Sequence, residues 1–261
     1  MSREKQPGGG EIELLPRIHE PAQRRDFLKW SGAGALALVG LAACGDDTDV
    51  RTITEVVPGP PTPPPPAPPP PTAPAAVTLN FANVFGVLNY AFALEQLEAA
   101  FYVQVVNSPG FNTIFSANER QVLLDVRDHE LAHREFFARA IPALGGTAIG
   151  GLTPNFGSIN FGSRESVLTT ARTFEDLGVA AYNGAGPLLN DDATGRTVLT
   201  VAGKIVSVEA RHASAIRDLL APRSSAFAPS AFDDALPPSQ VIAAAQPFVQ
   251  NQITVTNVPN R

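Results

Sequence analysis

Two copies of one short motif, Glu-x-x-His, occur in this chain, at Glu130 to His133 and at Glu209 to His212. Residues three apart on an α-helix are neighbours on one face, so each motif presents a carboxylate beside an imidazole. Such a pair can bind one metal ion from a single helix. A lone Glu-x-x-His is usually a solvated surface pair, so the interpretation depends on what accompanies these two.

The two motifs belong to a longer internal repeat. Glu95-x6-Tyr102 recurs as Glu175-x6-Tyr182, and the first Glu of each is followed by a Glu-x-x-His, 35 and 34 residues later. Two helical hairpins related by a pseudo-two-fold axis would bring the acids to one level. The repeat therefore predicts a single shared site.

Four segments of helical period must carry these residues. They run from about Leu79 to Asn107, from Ser116 to the residue before Pro142, from near Arg164 to about Gly184, and from about Gly195 to Ala221. Ser116-x-x-Glu119 has the spacing of a capping box, which marks the start of the second helix.

The links between these helices differ in length. Short links join the first pair and the last pair, which predicts two antiparallel hairpins. The middle link, residues 142–163, can reach roughly 70 Å when extended, against about 37 Å for a helix of ~25 residues. The sequence predicts an all-α four-helix bundle with one long crossover, in which the second and third helices run parallel.

The apolar stripe of each predicted helix is interrupted near its middle by an acid. Burying unpaired carboxylates costs several kcal/mol each, and no Lys or Arg lies on these stripes. Two divalent cations would balance four glutamates, with neutral imidazoles completing the coordination, and both iron and manganese accept such ligands. The predicted metal ligands are Glu95, Glu130, His133, Glu175, Glu209 and His212.

The chain resembles the ferritin-like superfamily, and specifically the exported ferritin-like domain proteins that include the plant desiccation-related proteins. The resemblance covers roughly Leu79 to the C-terminal tail. Its motifs are Leu94-Glu95-Gln96-Leu97-Glu98-Ala99-Ala100-Phe101-Tyr102, His129-Glu130-Leu131-Ala132-His133 and Val208-Glu209-Ala210-Arg211-His212.

The resemblance implies a role for each matching residue. Glu95 and Glu175 would be terminal ligands of two iron or manganese ions, and Glu130 and Glu209 would bridge them. His133 and His212 would each bind one ion, and Tyr102 and Tyr182 would hydrogen-bond groups behind the ligands. In metal-binding relatives such ions react with oxygen or peroxide.

Two further residues near the motifs have no assigned role in this pattern. Glu98 is a third carboxylate at the site, an alternative to Glu95, or the partner of an arginine elsewhere. His129 lies one position before Glu130, which places it off the stripe and towards solvent.

The N-terminal 76 residues predict export and a tether. Residues 1–44 carry Arg24-Arg25 before a short apolar stretch, which indicates a twin-arginine signal, and Leu41-Ala42-Ala43-Cys44 resembles a lipobox with Cys44 as the lipidated residue. The alternative is signal-peptidase cleavage with Cys44 incidental. Residues 45–76 contain a Pro-rich run that predicts a disordered or semi-rigid linker.

Composition limits the partners. The formal net charge is −6, and a nucleic-acid binder would need a basic face. The expected partners are instead the membrane, through a lipid anchor, and the twin-arginine translocation machinery, with a homo-oligomer compatible with the sequence. The predicted location is the cell envelope on the periplasmic side.

The predicted domains are a bundle at residues 77–221 and an irregular C-terminal extension, residues 222–261, that packs on it with a short helix begun near Ser239. Two functions remain at this point. One is a di-iron or di-manganese oxidoreductase that oxidises ferrous iron or reduces oxygen or peroxide. The other is a non-catalytic envelope protein of stress or desiccation, with a structural metal or none.

Overall fold

The computed structural model describes residues 73–260. The predicted signal, Cys44 and the linker up to residue 72 lie outside the described residues. Four long helices dominate: α1 (Val84–Asn107), α2 (Ala117–Ala143), α3 (Arg164–Ala185) and α4 (Ala193–Leu220). The predicted four-helix bundle is confirmed.

Shorter elements connect and follow these helices. A four-residue helix (Phe111–Ile114) links α1 to α2, and 3-10 turns occupy Gly186–Leu188, Ser225–Phe227 and Gln246–Phe248. Helix α5 (Pro238–Ala245) lies in the C-terminal region, close to where a short helix was predicted. Strands β1 (Val77–Asn80) and β2 (Ile253–Thr256) complete the described elements.

Helix α1 begins later than predicted, because Leu79 belongs to β1 and not to the helix. The side chain of Asn83 accepts a hydrogen bond from the backbone N–H of Phe85, which satisfies one of the free donors at the helix start. Asn83 therefore fixes the first turn, and the apolar residues before it form a strand.

Helix α2 has the predicted capping box at its start but ends at Ala143, two residues later than predicted. The Ser116 side chain accepts from the Glu119 N–H while the Glu119 carboxylate accepts from the Ser116 N–H. Pro142 lies inside the helix, where it removes a single backbone donor near the end. Termination occurs at Gly145, whose φ of +86° lets the N–H groups of residues 145 and 146 bond back to the last turn.

The direction of the helices follows from contacts at their ends. Arg164, at the start of α3, makes an ion pair with Glu119 at the start of α2, so these two helices are parallel. The same guanidinium donates to the carbonyl of Leu219 at the end of α4, so α3 and α4 are antiparallel. The predicted crossover topology is therefore present.

The crossover between α2 and α3 is attached to α1 by two side-chain amides. Asn89 accepts from the N–H of Ile149 at 2.8 Å and donates to the carbonyl of Thr147 at 2.9 Å. Gln96, two turns further along, accepts from the N–H of Leu152 at 2.9 Å. These bonds satisfy backbone groups of a segment without regular structure.

The C-terminal region packs on α3 and on the crossover. The N–H of Leu236 donates to the carbonyl of Ala180, and that of Asn155 donates to the carbonyl of Phe248. Strand β2 pairs in parallel with β1, with Val77 opposite Ile253. The extension predicted to be irregular thus contains a helix and a strand.

The core is a single apolar cluster that runs through the bundle and includes residues of the crossover and the tail. Among residues 73–260, no helix combines the length and apolar character needed to cross a membrane.

Candidate metal centre

The six residues predicted as ligands converge in the middle of the bundle. Glu95, Glu130, Glu175 and Glu209 are each 0 % exposed, and His212 is 5 % exposed. His133 is less deeply buried, with 13 % of its side chain exposed. One stripe of each long helix contributes to the cluster, because the helical period returns its carboxylate to the bundle axis.

One half of the cluster is built around His133. Its Nδ1 lies 2.8 Å from Glu209 Oε1, 3.4 Å from Glu95 Oε2 and 3.6 Å from Glu130 Oε2. One atom from each of these four residues lies within 4.8 Å of every other, which is a spacing suited to a metal ion.

The other half repeats this arrangement around His212. Its Nδ1 lies 2.9 Å from Glu130 Oε1, 3.4 Å from Glu175 Oε2 and 3.6 Å from Glu209 Oε2. These four residues form a second compact set. Glu130 and Glu209 belong to both sets, as a bridging pair would, whereas Glu95 and Glu175 belong to one set each.

Two tyrosines hold the outer carboxylates. Tyr182 Oη donates to Glu95 Oε1 at 2.5 Å, and Tyr102 Oη donates to Glu175 Oε1. Each tyrosine therefore contacts the glutamate of the other repeat. The bonds leave the second oxygen of each glutamate, Oε2, facing the cluster.

The atoms that face inward have no hydrogen-bond partner among the described residues. The eight atoms are Glu95 Oε2, both oxygens of Glu130, His133 Nδ1, Glu175 Oε2, both oxygens of Glu209, and His212 Nδ1. The imidazoles and the carboxylates approach one another at ion-pair distances of 2.8 to 3.6 Å. Each unsatisfied buried polar group costs about 1–3 kcal/mol, and a cation would satisfy several at once. The residues present therefore fit a metal ion.

Protons can balance part of the negative charge that the buried carboxylates bring together. Burial raises the pKa of Glu95 well above its usual value and that of Glu175 to about 8. Burial by itself opposes charge on the imidazoles, but contacts with the surrounding carboxylates raise the pKa values of His133 and His212 to about 12. Metal ions bind deprotonated ligands, so binding here must release protons.

Glu98 lies at the edge of this cluster and outside both ligand sets. It is 4 % exposed, and burial together with the charge of Glu130 raises its pKa well above the usual range. Its Oε1 lies 2.9 Å from the point where a Cβ at position 178 would stand, so Gly178 provides the space for this carboxylate. Among the described residues no ion pair joins Glu98 to an arginine.

His129 is exposed, as its position off the stripe predicted, but it also contacts the cluster. Its ring stacks on that of His212 with centroids 5.1 Å apart, and its Nδ1 lies 2.9 Å from His212 Nε2. Sequence reasoning missed this contact. The only signal was the i,i+4 spacing of His129 and His133, which places both imidazoles on neighbouring parts of α2.

The comparison with protein families agrees with the geometry. The model of the ferritin-like domain family matches residues 83–222, more than half of the chain. The chain therefore belongs to the ferritin-like domain family. A search of curated proteins finds no match to it. The fold and the buried carboxylate and histidine clusters allow a metal site in this chain.

Proposed function

We propose that the protein is an exported ferritin-like protein with a dinuclear iron or manganese centre. The observation that carries the proposal is the sharing of Glu130 and Glu209 between two four-residue ligand sets. Glu95 and His133 complete the first set, and Glu175 and His212 complete the second. Two divalent ions would balance the four carboxylates and satisfy the unpartnered atoms together.

When bound, the two metal ions would supply the one-electron steps needed to oxidise ferrous iron or to reduce oxygen or peroxide. The chain's own residues position the ligands for this chemistry. Tyr102 and Tyr182 each fix one oxygen of an outer glutamate. Within residues 73–260, neither oxygen of Glu130 or Glu209 has a hydrogen-bond partner, so no hydrogen bond from this part of the chain fixes the orientation of the bridging carboxylates.

His129 supports one imidazole in this scheme. If His212 binds its ion through Nδ1, its Nε2 carries the proton and donates to His129 Nδ1, 2.9 Å away. A hydrogen bond from a ligating imidazole to a second group fixes the ring's orientation and tautomer. His129 is therefore a positioning residue for His212.

Metal analysis of the full-length chain, purified without chelators, tests the proposal. We expect about two iron or manganese ions per chain. Glu130→Gln and Glu209→Gln keep the side-chain shape but remove a bridging charge, so both variants should lose metal. Glu135→Gln is the matched control, because Glu135 is on the same helix as Glu130 but half exposed on the surface.

The outcomes separate the two functions that the sequence left open. Metal bound in the expected ratio, together with oxidation of added ferrous iron or consumption of peroxide, supports the oxidoreductase. A well-folded protein without metal supports the non-catalytic envelope protein. Unchanged metal content in Glu130→Gln would refute the ligand assignment.

The proposed location rests on the sequence of the first 44 residues. Arg24 and Arg25 would direct the chain to the twin-arginine translocation machinery, and lipidated Cys44 would anchor it to the membrane on the periplasmic side. Cys44→Ser should release the exported protein from the membrane fraction. Replacing both arginines with lysine should block export, and export of that variant at normal levels would contradict the signal assignment.

A further inference from the structure

Glu98 is a buried acid on α1 that neither ligand set uses. It is 4 % exposed, and among residues 73–260 no group donates a hydrogen bond to its carboxyl group and no cation pairs with it. A buried carboxylate without a partner is destabilising unless positive charge reaches it. The acid therefore needs a cation that the described residues do not supply.

A glycine on a neighbouring helix makes room for this acid. The three atoms nearest to a Cβ built at Gly178 are Oε1, Cδ and Oε2 of Glu98, at 2.9, 3.7 and 3.7 Å. Gly178 is buried within α3, where glycine is less favourable than alanine, and its φ is not positive. The backbone conformation does not explain the glycine, whereas the Glu98 carboxyl group does. Two locally unfavourable residues thus fit each other.

The carboxyl group of Glu98 lies within electrostatic reach of the whole candidate metal centre. Burial is the largest cause of its raised pKa, and the charges of the four glutamates in the ligand sets add to that rise: Glu130, Glu209, Glu95 and Glu175. The interaction between charges falls with distance, so Glu98 lies near all four. The two imidazoles of the centre come from α2 and α4, whereas Glu98 comes from α1 and contacts α3.

The charge balance differs between two states of the proposed centre. Two divalent ions balance the four glutamates of the ligand sets, which leaves no positive charge for a fifth carboxylate. Oxidation in the function proposed above removes one electron from each ion, which oxygen or peroxide accepts, and so adds two positive charges. Unbalanced charge in a buried site is costly, and a fifth carboxylate beside the ligand sets reduces that excess.

We propose that Glu98 is a specificity-determining residue that makes the centre favour trivalent over divalent ions. Its carboxylate supplies negative charge beside the two ligand sets when the ions are trivalent, and it is not required for the binding of divalent ions. The inference rests on the metal centre proposed above, but not on the substrate that the centre oxidises or reduces.

Binding of terbium(III) and manganese(II) to the full-length chain tests the inference without any redox reaction. Terbium is trivalent and takes oxygen ligands, and tyrosines close to the bound ion sensitise its emission. Tyr102 and Tyr182 contact the outer glutamates, so this emission reports on ions in the centre. Competition with a chelator of known affinity gives both dissociation constants.

Glu98→Gln keeps the shape of the side chain and removes its charge. It should weaken terbium binding by about tenfold or more and change manganese affinity by less than about threefold. Glu165→Gln is the matched control, because it removes an acid from the exposed first turn of α3, ten residues before Glu175 and so about 15 Å along the helix. Both affinities should be unchanged in this control.

Moving the acid to the other repeat separates the effect of charge from an effect on folding. Gly178 is the position in α3 that is equivalent to Glu98 in α1, so the double variant Glu98→Gly with Gly178→Glu exchanges the two residues. The exchange should restore the preference for terbium that Glu98→Gln loses. A residue that only supports the fold would not be replaced in this way.

The same selectivity should appear in the reduction potential of the bound metal. A tenfold loss of affinity that affects only the trivalent state corresponds to a rise of about 59 mV for a one-electron couple. Redox titration of the manganese-loaded wild type and Glu98→Gln measures this shift.

A selective loss of terbium affinity in Glu98→Gln that the exchanged variant recovers supports the inference. Equal losses for terbium and manganese, unchanged affinities for both ions, or a selective loss that the exchange does not recover would overturn it. Wild-type protein that binds neither ion would instead overturn the dinuclear centre, and the role of Glu98 with it.

Discussion

The two tyrosines of the repeat bind equivalent carboxylates but lie in different surroundings. Tyr102 is fully buried against Phe101, which contacts Phe156 of the crossover and Phe174 of α3. Phe248 of the tail packs edge to face on Phe174, with ring centroids 4.8 Å apart, and closes that side. Tyr182 is half-buried and instead lines an apolar cavity of about 430 Å³ at the end of the bundle where α1 and α4 begin.

This difference separates the requirements of metal binding from the requirements of small-molecule access to the metal centre. The ligand sets are nearly symmetric, because two similar ions need similar donors. Their surroundings are not, because a small molecule needs a way in on one side only. We therefore expect chemistry at this centre to begin on the Tyr182 side.

At the level of the predicted ligands, the two repeats differ at two equivalent positions. Glu98 on α1 corresponds to Gly178 on α3, since each lies three residues after its outer glutamate, and the glycine makes room for the carboxylate. His129 corresponds to Val208, since each precedes a shared glutamate. Only the His212 half therefore has a supporting imidazole, and only α1 supplies a fifth acid.

The largest contrast should appear in stability. Phe174→Ala removes a ring that is 1 % exposed and packed on three others, so it should cost about 3–5 kcal/mol. Phe137→Ala should cost at least about 1 kcal/mol less, because its ring already borders an open space and less packing is lost. Urea denaturation of both variants measures the difference, and an equal or reversed order would contradict the contrast between the two sides.

A smaller contrast should appear in metal affinity. Tyr102→Phe leaves Glu175 Oε1 without its donor in a closed environment, so affinity should fall about 10- to 100-fold. Tyr182→Phe should have a weaker effect, because water in the cavity can replace the lost donor to Glu95. Competition with a chelator of known affinity measures both losses. Equal losses would mean that the cavity does not reach Glu95.

The smallest effect should come from the Glu98 and Gly178 pair. Gly178→Ala forces Glu98 to move and should cost about 1–3 kcal/mol despite the better helix propensity of alanine. In a Glu98→Ala background the same substitution should be neutral or stabilising, with a coupling of about 0.5–3 kcal/mol. Thermal unfolding of the single and double variants measures this coupling, and simple additivity would show that the two positions do not interact.

Spacing along the chain was sufficient to predict the bundle and the convergence of the buried carboxylates and imidazoles. The repeat of Glu95 and Tyr102 with Glu175 and Tyr182 constrains four helices at once, because each acid must return to the axis at the same level. The capping box of Ser116 and Glu119 acts within one helical turn, so the neighbouring sequence is sufficient to predict where this helix begins.

Features that join distant residues could not be predicted in this way. Strands β1 and β2 are four residues each and pair across more than 170 positions, so neither has a pattern of its own. The contact of His129 with His212 depends on how far α2 and α4 approach. The cavity exists because side chains from four helices together leave a volume unfilled, and the sequence of one helix does not reveal this.

Electron paramagnetic resonance of the manganese-loaded protein tests the central claim most directly. Ions that share Glu130 and Glu209 would lie roughly 3.5–4 Å apart, as in other two-metal sites. We predict the spectrum of a spin-coupled pair when two ions are bound per chain, and its loss in Glu209→Gln. A six-line spectrum of isolated manganese at full occupancy would contradict the shared-ligand centre.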